Sequence, residues 1–416
     1  MASPLTSNSL DKLLLKKIHR SIGDAPIRLG FKGEEEFLPA DAVDNESVLI
    51  QDRWALARMM LDPEIGFGDA YMEGRVEVKG NLVHVLELAL RAMHPRKRSW
   101  YYRLLSSWLN RIQDNTLDGS ASNIHHHYDL NTDFYKLWLD SRLVYTCAYF
   151  PNLSATLEEA QLAKMDYVCR KLQIQPGETV VDAGCGWGAL ALHMAKYYGA
   201  TVKAFNISSE QIQYARAQAK KEGLTGRVEF IKDDYRNISG RFDAFVSVGM
   251  LEHVGREHYS EFGAVIHRSI GDSGRGLIHF IGRNRPQPFS AWIRKRIFPG
   301  AYAPALREAM SIFEERNYAV LDVENLRLHY AKTLEHWLAR YERSVDRVSE
   351  LFGPEFVRAW RLYLAGSIVS FRTGQLQLFQ IVFAGSACRQ IPWTREYLYS
   401  GASREEKESQ WIRAAS

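Results

Sequence analysis

Short apolar runs alternate with amphipathic segments from about residue 156 onward. Five runs have the length of buried strands, and they are Thr179–Asp182, Thr201–Phe205, Val228–Ile231, Ala244–Val248 and Leu277–Ile281. The segments between them carry helical spacing, as in the face formed by Leu162, Met165 and Cys169. Repeated strand–helix units predict a mostly parallel sheet with helices on both faces, and therefore an α/β fold. A last apolar run, Leu376–Ala384, predicts one more strand.

The first part of the chain follows a different pattern. Helical spacing occurs at Leu10–Ile18 and Leu82–Leu90, short alternating runs occur at Ile27–Phe31 and Val48–Gln51, and the glycines of Gly66–Gly74 predict a turn. The polar stretch Asn115–Asn123 is typical of a linker. We therefore predict a smaller, helical-rich amino-terminal domain over residues 1–112, a linker and active-site entrance segment over 113–155, and the α/β domain over 156–416.

Composition and charge narrow the class of protein. Hydrophobic residues make up 46% and charged residues 25% of the 416 residues, which excludes a disordered chain. The net charge of +4 is too small to indicate a nucleic-acid-binding protein. The four cysteines are scattered without a C-x-x-C pair, which predicts a reduced, cytoplasmic protein. No secretory signal pattern is visible, and the uncharged stretch Thr373–Cys388 is too short and polar to span a bilayer.

A glycine-rich loop, Asp182–Gly188, follows the first strand of the α/β pattern and leads into a helix. Its G-x-G-x-G spacing differs from dinucleotide and P-loop patterns, but it offers a ligand the same close backbone approach and free N–H groups. The loop is typical of class I S-adenosylmethionine methyltransferases, and the alternative is an ordinary strand-to-helix turn. Those enzymes usually carry an acid at the end of the second strand, where this chain has Asn206, so Asn206 or Gln211 would have to bind the ribose. Ser208, three residues before Gln211, predicts a capping box at the next helix.

Further motifs, in the same order along the chain, resemble the cyclopropane-fatty-acid synthase family, which includes the mycolic acid cyclopropane synthases. The matching stretches are His127–Leu130, Tyr145–Phe150, Asp182–Gly188, Asn206–Gln211, Ser247–Gly255, His279–Gly282, Ile297–Gly300, Tyr330–Leu334 and Gln377–Gln380. Leu61–Gly74 also resembles the family's amino-terminal domain, so the resemblance covers nearly the whole chain. The motifs Y-T-C-A-Y and S-V-G-M-x-E-H-V-G are the most specific of the set. The missing acid at the end of the second strand is typical of this family too.

The resemblance implies an S-adenosylmethionine-dependent enzyme that acts on unsaturated phospholipid acyl chains. In that reaction the cis double bond attacks the sulfonium methyl group, and a bound bicarbonate ion removes a proton from the carbocation before the cyclopropane ring closes. The bicarbonate cage implied by the resemblance comprises Glu252, His279, Tyr330 and the backbones of Cys147 and Ile281. The implied cofactor contacts are Tyr145, Thr146, Asp182, Gly184, Gly186, Gly188, Asn206, Ser208, Gln211 and Tyr235. A related acyl C-methyltransferase that stops at a methyl branch or a methylene group is the alternative.

Two basic stretches without acidic residues, Arg91–Arg111 and Arg283–Arg296, carry interleaved aromatic residues. This combination suits an anionic phospholipid surface better than a nucleic acid. We therefore expect a peripheral enzyme at the inner face of the cell membrane, with the phospholipid bilayer as its partner. A homodimer is one assembly that the sequence leaves open.

Other classes of protein are less consistent with the residues. A nucleic-acid methyltransferase would need a base-flipping pocket motif, and none is present. A non-catalytic lipid-binding protein with the same fold would have no use for Glu252, because a carboxylate that closes an apolar strand is costly without a partner. The triplet His125–His127 cannot converge on one ion, so no metal site is predicted.

Overall fold

The computed structural model describes residues 9–31, 43, 46–93 and 131–399. These residues belong to two units, of which the first comprises 1–113, 289–299 and 334–375, and the second comprises 114–288, 300–333 and 376–416. The predicted division placed all of 156–416 in one domain, whereas two later segments group with the amino-terminal residues. None of the described helices is long and apolar enough to cross a bilayer. Most of the basic stretch Arg91–Arg111, the linker and His125–His127 lie outside the described residues.

The elements are numbered in chain order. The described helices are α1 (Ser9–Ser21), α2 (Arg53–Leu61), α3 (Pro63–Met72), α4 (Leu82–Ala92), α5 (Thr132–Lys136), α6 (Leu157–Lys171), α7 (Ala189–Tyr198), α8 (Ser209–Lys221), α9 (Leu251–Val254), α10 (Tyr259–Ile270), α11 (Ala291–Arg296), α12 (Leu306–Ala309), α13 (Ser311–Glu314), α14 (Arg327–Arg343), α15 (Val345–Phe352) and α16 (Pro354–Arg372). The described strands are β1 (Arg28–Phe31), β2 (Ser47–Ile50), β3 (Val76–Lys79), β4 (Thr179–Ala183), β5 (Thr201–Asn206), β6 (Val228–Lys232), β7 (Ala244–Val248), β8 (Arg275–Gly282), β9 (Ala319–Asn325) and β10 (Gln377–Ala384).

The second unit is built on a mixed sheet in the order β6-β5-β4-β7-β8-β10-β9. The first five strands in this order, β6, β5, β4, β7 and β8, pair in parallel. Strand β10 runs antiparallel to both β8 and β9. Apolar clusters cover both faces of the sheet, which confirms the predicted α/β fold and its six apolar strands. Strand β9 was not predicted because it lies at the edge of the sheet, where exposed and polar positions interrupt its apolar pattern.

The first unit contains a three-stranded sheet in which β1 and β2 pair in parallel and β2 and β3 pair antiparallel. The predicted turn at Gly66–Gly74 is wrong, because α3 runs through most of it from an amino-terminal cap at Asp62. The glycines permit close helix packing instead. A Cβ on Gly66 would lie 2.5 Å from the carbonyl oxygen of Arg58 in α2, and one on Gly68 would lie 2.4 Å from the Trp292 ring.

Two groups of hydrogen bonds, one of which includes ion pairs, explain why later segments join the first unit. Asp69 of α3 is buried and accepts hydrogen bonds from Arg296 at 3.0 Å, from the Trp292 indole at 3.1 Å and from Arg58 at 2.8 Å. Arg358 of α16 donates to the carbonyl oxygens of Tyr71 and Val76. Because a buried carboxylate is stable only when its oxygens are paired, Asp69 anchors α11 to α3.

Candidate active site

The glycine-rich loop connects β4 to α7 in a tight turn. The backbone N–H groups of Gly184 and Cys185 both donate to the carbonyl oxygen of Phe205 at 3.0 Å, which holds the loop against the end of β5. Gly188 has a φ of +86°, and a Cβ there would lie 2.6 Å from the Phe230 ring, so this position requires glycine for packing. Gly186 has a φ of +56°, and a Cβ there would project into open space. The sterics therefore leave room beside Gly186 for a ligand.

A cavity of about 140 Å³ lies beside this loop in the second unit. Its lining includes seven of the predicted cofactor contacts, namely Tyr145, Thr146, Asp182, Gly184, Gly186, Asn206 and Gln211. Three predicted contacts lie outside the lining. Gly188 packs against Phe230, Ser208 caps α8, and the buried Tyr235 ring packs edge-on against Phe262 at 5.4 Å. Cofactor roles for these three residues stay predictions.

Two side-chain amides, Asn206 at the end of β5 and Gln211 in α8, lie where related folds usually carry an acid. The Asn206 side-chain amide donates to the carbonyl oxygen of Gly186 at 3.2 Å and to Gln211 Oε1 at 2.7 Å. Only half of the predicted capping box forms, because Ser208 Oγ accepts from the Gln211 N–H while the Ser208 N–H donates to Asn206 Oδ1. Asn206 is thus committed to shaping the loop. Gln211 is buried at the cavity, and its Oε1 already accepts from Asn206. Its Nε2 can therefore donate to a ligand.

Lys164 is a cavity residue that the sequence reasoning missed. It lies in α6 with its side chain fully enclosed, and its Nζ donates to Thr146 Oγ1 at 3.0 Å. Burial lowers the pKa of Lys164 to about 8, whereas burial raises the pKa of Asp182 to about 7 against the opposing charge of Lys164. A lysine on the same helical face as Met165 and Val168 was the signal, because a cation on an apolar stripe must have a buried partner.

Glu252 meets the backbone of Ile281 as the predicted cage requires. Its Oε1 accepts a hydrogen bond of 2.6 Å from the Ile281 N–H, which brings the start of α9 against the end of β8. Its Oε2 is buried and has no hydrogen-bond partner among the described residues. Burial raises the pKa of Glu252 to about 7, while the hydrogen bond from Ile281 opposes that increase. Glu252 therefore keeps one acceptor for a further group.

His279 lies two residues before Ile281 on β8, so the two side chains project to the same face of the strand. Its carbonyl oxygen accepts from the Gly249 N–H at 2.8 Å, which ties β8 to the loop that leads to Glu252. Burial lowers the pKa of the His279 imidazole well below its usual range. Its Nε2 is buried and, within the described part of the chain, has no hydrogen-bond partner.

The remaining two predicted cage residues lie near each other. Cys147 is fully buried, and its thiol donates to the carbonyl oxygen of Ala148 at 3.1 Å. The Ala148 N–H donates to Thr333 Oγ1 at 3.0 Å, one turn along α14 from the buried Tyr330. The segment that carries Cys147 is therefore fastened to the helix that carries Tyr330. No cluster of three or more metal-ligating side chains occurs in the residues that the structure describes.

Comparisons with known proteins show to which family the chain belongs. Residues 115–381 match the mycolic acid cyclopropane synthetase family. A probable fatty acid methyltransferase from Pseudomonas putida is 34% identical over 374 residues, which cover 85% of this chain and 91% of that protein. The cyclopropane-fatty-acyl-phospholipid synthase of Escherichia coli K12 is 33% identical over 79% of this chain and 85% of its own length.

A solved structure with the same fold contains bound SAH. The crystal structure of the mycolic acid cyclopropane synthase CmaA1, complexed with SAH and CTAB, is 31% identical to this chain. It aligns with a TM-score of 0.60 over 63% of this chain and 97% of that protein. The family match, the mixed sheet and the glycine-lined cavity lead to one conclusion. The chain belongs to the mycolic acid cyclopropane synthetase family and is an S-adenosylmethionine-dependent methyltransferase.

Proposed function

We propose that this enzyme transfers a methylene group from S-adenosylmethionine to the cis double bond of a phospholipid acyl chain and thereby forms a cyclopropane ring. One observation carries the proposal. Glu252 Oε2 and His279 Nε2 are buried polar atoms without partners in the described structure, and both residues adjoin Ile281 on β8. Buried polar atoms are normally satisfied, so an unpaired acceptor and an unpaired ring nitrogen favour a site for a small polar ion.

The cofactor fits the cavity beside the glycine-rich loop. When bound, S-adenosylmethionine supplies the electrophilic methyl carbon that becomes the ring carbon. The open space at Gly186 lets the ligand approach the backbone, and Gln211 Nε2 can donate to a ribose hydroxyl group. The charge of Lys164 favours the ionised form of the buried Asp182, and its Nζ donates to Thr146, so Lys164 shapes the cavity wall without facing solvent. These residues bind and orient the cofactor.

Bicarbonate fits the two unpaired atoms because it carries both an O–H donor and oxygen acceptors. When bound, it supplies the base that an alkene substrate requires after the new carbon–carbon bond has formed. Glu252 Oε2 would accept the bicarbonate O–H, and His279 Nε2 would donate to an oxygen if it carries the ring proton. Tyr330 and the backbones of Cys147 and Ile281 complete the proposed cage.

The environment of Cys147 argues against a cysteine nucleophile. Burial raises the pKa of its thiol far above the usual range, and the thiol already donates to a backbone carbonyl oxygen. Because the thiolate is the reactive form, such a cysteine is inert. The reaction therefore needs shielding from water and a positioned base, rather than a covalent intermediate on the protein.

Lipid analysis of cells that express the enzyme tests the proposed product. Cyclopropanation adds one CH₂ per double bond, removes the olefinic proton signals and produces cyclopropane proton signals in nuclear magnetic resonance spectra. An exomethylene product has the same mass but keeps olefinic protons, so the spectra separate the two. A saturated methyl branch carries two further hydrogens and therefore needs a reductant. Finding either of these products instead would replace cyclopropanation with acyl C-methylation, the activity that the name of the Pseudomonas relative indicates.

We further propose that the enzyme works on the inner face of the cell membrane. In the second basic stretch, Arg285 and Lys295 are exposed. By contrast, Arg283 is buried and Arg296 is engaged by Asp69, so these two are not available to a lipid surface in the way the sequence suggested. The proposal thus rests on Arg285, Lys295 and the residues of Arg91–Arg111.

Co-sedimentation with lipid vesicles measures this association. Binding to anionic vesicles should weaken as salt rises, because the Debye length shrinks to about 8 Å at physiological ionic strength. The double variant Arg285→Gln/Lys295→Gln should weaken binding by up to about 30-fold, at about 1 kcal/mol for each charge. The control Lys220→Gln/Lys221→Gln removes the same charge from exposed positions at the end of α8 and should bind as the wild type does. Equal binding to neutral and anionic vesicles at low and high salt would contradict the electrostatic attraction.

A further inference from the structure

A row of polar side chains crosses three strands of the large sheet behind His279. In the antiparallel register, Gln380 of β10 lies opposite His279 of β8 on one side and opposite Glu324 of β9 on the other. Directly opposed residues project to the same face of a sheet. Gln380 and His279 are almost completely inaccessible to solvent, and Lys171, at the end of α6, reaches the same row. The proposed function assigns no role to Gln380, Lys171 or Glu324.

Lys171 determines which way the Gln380 amide faces. Its Nζ donates to Glu324 Oε2 at 2.6 Å and to Gln380 Oε1 at 2.8 Å. Burial lowers the pKa of Lys171, whereas the ion pair with Glu324 favours its protonated form, and an ammonium group has donors only. The reverse amide orientation would place an NH₂ group against the ammonium group. Gln380 must therefore direct its oxygen to Lys171. Tyr167 donates to the other oxygen of Glu324 at 3.3 Å, which holds the carboxylate in place.

The amide orientation in turn fixes the proton on His279. Gln380 Nε2 lies 3.0 Å from His279 Nδ1, and an amide NH₂ group can only donate. His279 Nδ1 must then be the acceptor. Burial and the nearby charges of Lys164 and Lys171 lower the pKa of the imidazole, so the ring is neutral and carries one proton. That proton can only be on Nε2, the buried nitrogen without a partner in the described structure.

We propose that Lys171 and Gln380 are positioning residues that hold His279 as the Nε2–H tautomer, so that its single N–H group is directed at the bicarbonate ion. The inference rests on the proposed function only for the identity of the ion that receives this hydrogen bond. The other tautomer would present a lone pair to an anion and would place two N–H groups face to face at Gln380. The relay therefore makes His279 a donor to the ion and not a competing base.

Nuclear magnetic resonance of protein with ¹⁵N-labelled histidine reads the tautomer directly. The His279 signals are identified by their loss in the His279→Asn variant. The wild type should show an unprotonated Nδ1 and a protonated Nε2. In Gln380→Glu, a carboxylate replaces the amide and accepts from Nδ1–H, so the two nitrogen signals should exchange character. Turnover should fall at least about tenfold, which is the loss commonly seen when a metal-binding histidine loses the group that orients it.

Gln377→Glu is the matched control. Gln377 is buried on the same strand, and it accepts from Asn325 rather than contacting His279, so this variant should leave the tautomer unchanged. Lys171→Met removes the group that orients the amide and should give a mixture of both tautomers. This second variant tests the relay even if Gln380→Glu does not fold. A protonated Nδ1 in the wild type, or a Gln380→Glu spectrum like that of the wild type, would overturn the relay.

Bicarbonate dependence separates this inference from the proposed function. If the wild type shows the Nε2–H tautomer but its turnover does not respond to bicarbonate, the relay stands and the assigned ion is wrong. If bicarbonate stimulates turnover while Nδ1 carries the proton, the proposed function stands and the relay fails.

Discussion

Replacing Glu252 with glutamine is expected to lower turnover by about 100- to 10,000-fold. The variant should lose the bicarbonate ion that acts as the base, and general base catalysis usually contributes a factor of this size. Glu252 Oε1 is held by the Ile281 N–H, and Oε2 is the buried atom left for the ion. Glutamine keeps the shape but places an NH₂ donor at one of these two positions, so it cannot both accept from Ile281 and accept the bicarbonate O–H. Turnover on vesicles of unsaturated phospholipid is the measurement. S-adenosylmethionine affinity, measured by calorimetry, should be largely unchanged because Glu252 does not line the cavity.

Cys147→Ser and bicarbonate depletion are the controls for this result. Serine can donate to the Ala148 carbonyl oxygen as the thiol does, and the cage uses only the backbone of this residue, so the loss should be small. Removing bicarbonate should slow the wild type, and adding it back should restore the rate. The assignment is wrong if Cys147→Ser abolishes activity, Glu252→Gln retains it, and bicarbonate has no effect.

The same variant should also change how stability depends on pH. The pKa of Glu252 is about 7 in the folded protein and near 4.5 in an unfolded chain, so between these values only the folded state holds the proton. Wild-type stability therefore falls as pH rises from about 4.5 to 7, by on the order of 3 kcal/mol from this group. Glutamine does not titrate. The melting temperature of Glu252→Gln relative to the wild type should thus increase from pH 5 to pH 8, and a constant difference would contradict the burial of this carboxylate.

The sequence was sufficient for the strands that are buried on both faces. Runs such as Ala244–Val248 and Leu277–Ile281 are buried along almost their whole length and contain one polar residue each, because neighbouring strands and helices cover them. Strand β9 escaped prediction because the edge of a sheet has no such requirement. The helical glycines of α3 were misinterpreted for a related reason. Gly66 and Gly68 are there because another helix approaches closely, and that approach is a tertiary contact with no local signature.

The candidate site was likewise predictable only in part. Motifs identified Glu252 and Ile281, which lie far apart in the chain yet share a hydrogen bond of 2.6 Å. Pattern reasoning passed over Lys164 and Lys171, because a lysine in a helix is usually solvated, whereas the structure encloses both side chains. The partners of Lys171 lie more than 150 residues away in sequence. Buried ion pairs of this kind depend on the register of the sheet, which a sequence motif does not contain.

A valine at Gly186 is expected to weaken S-adenosylmethionine binding by at least about 100-fold, equivalent to about 2.8 kcal/mol. Gly186 lines the cavity, and a Cβ there points into open space rather than into the protein. The variant should therefore fold, and its branched side chain should occupy the volume that the cofactor needs. Valine at a φ of +56° costs about 1 to 2 kcal/mol of backbone strain, which lowers stability without touching the cavity.

Gly177→Val separates that strain from the loss of cavity volume. Gly177 also has a positive φ, at +87°, and a Cβ there also meets open space, but it lies in the turn before β4 and does not line the cavity. Both variants should melt at lower temperature than the wild type by comparable amounts. Calorimetry should then show wild-type affinity for S-adenosylmethionine in Gly177→Val and an affinity at least about 100-fold weaker in Gly186→Val. A folded Gly186→Val protein that binds the cofactor as tightly as Gly177→Val does would show that the ligand approaches a different part of the loop.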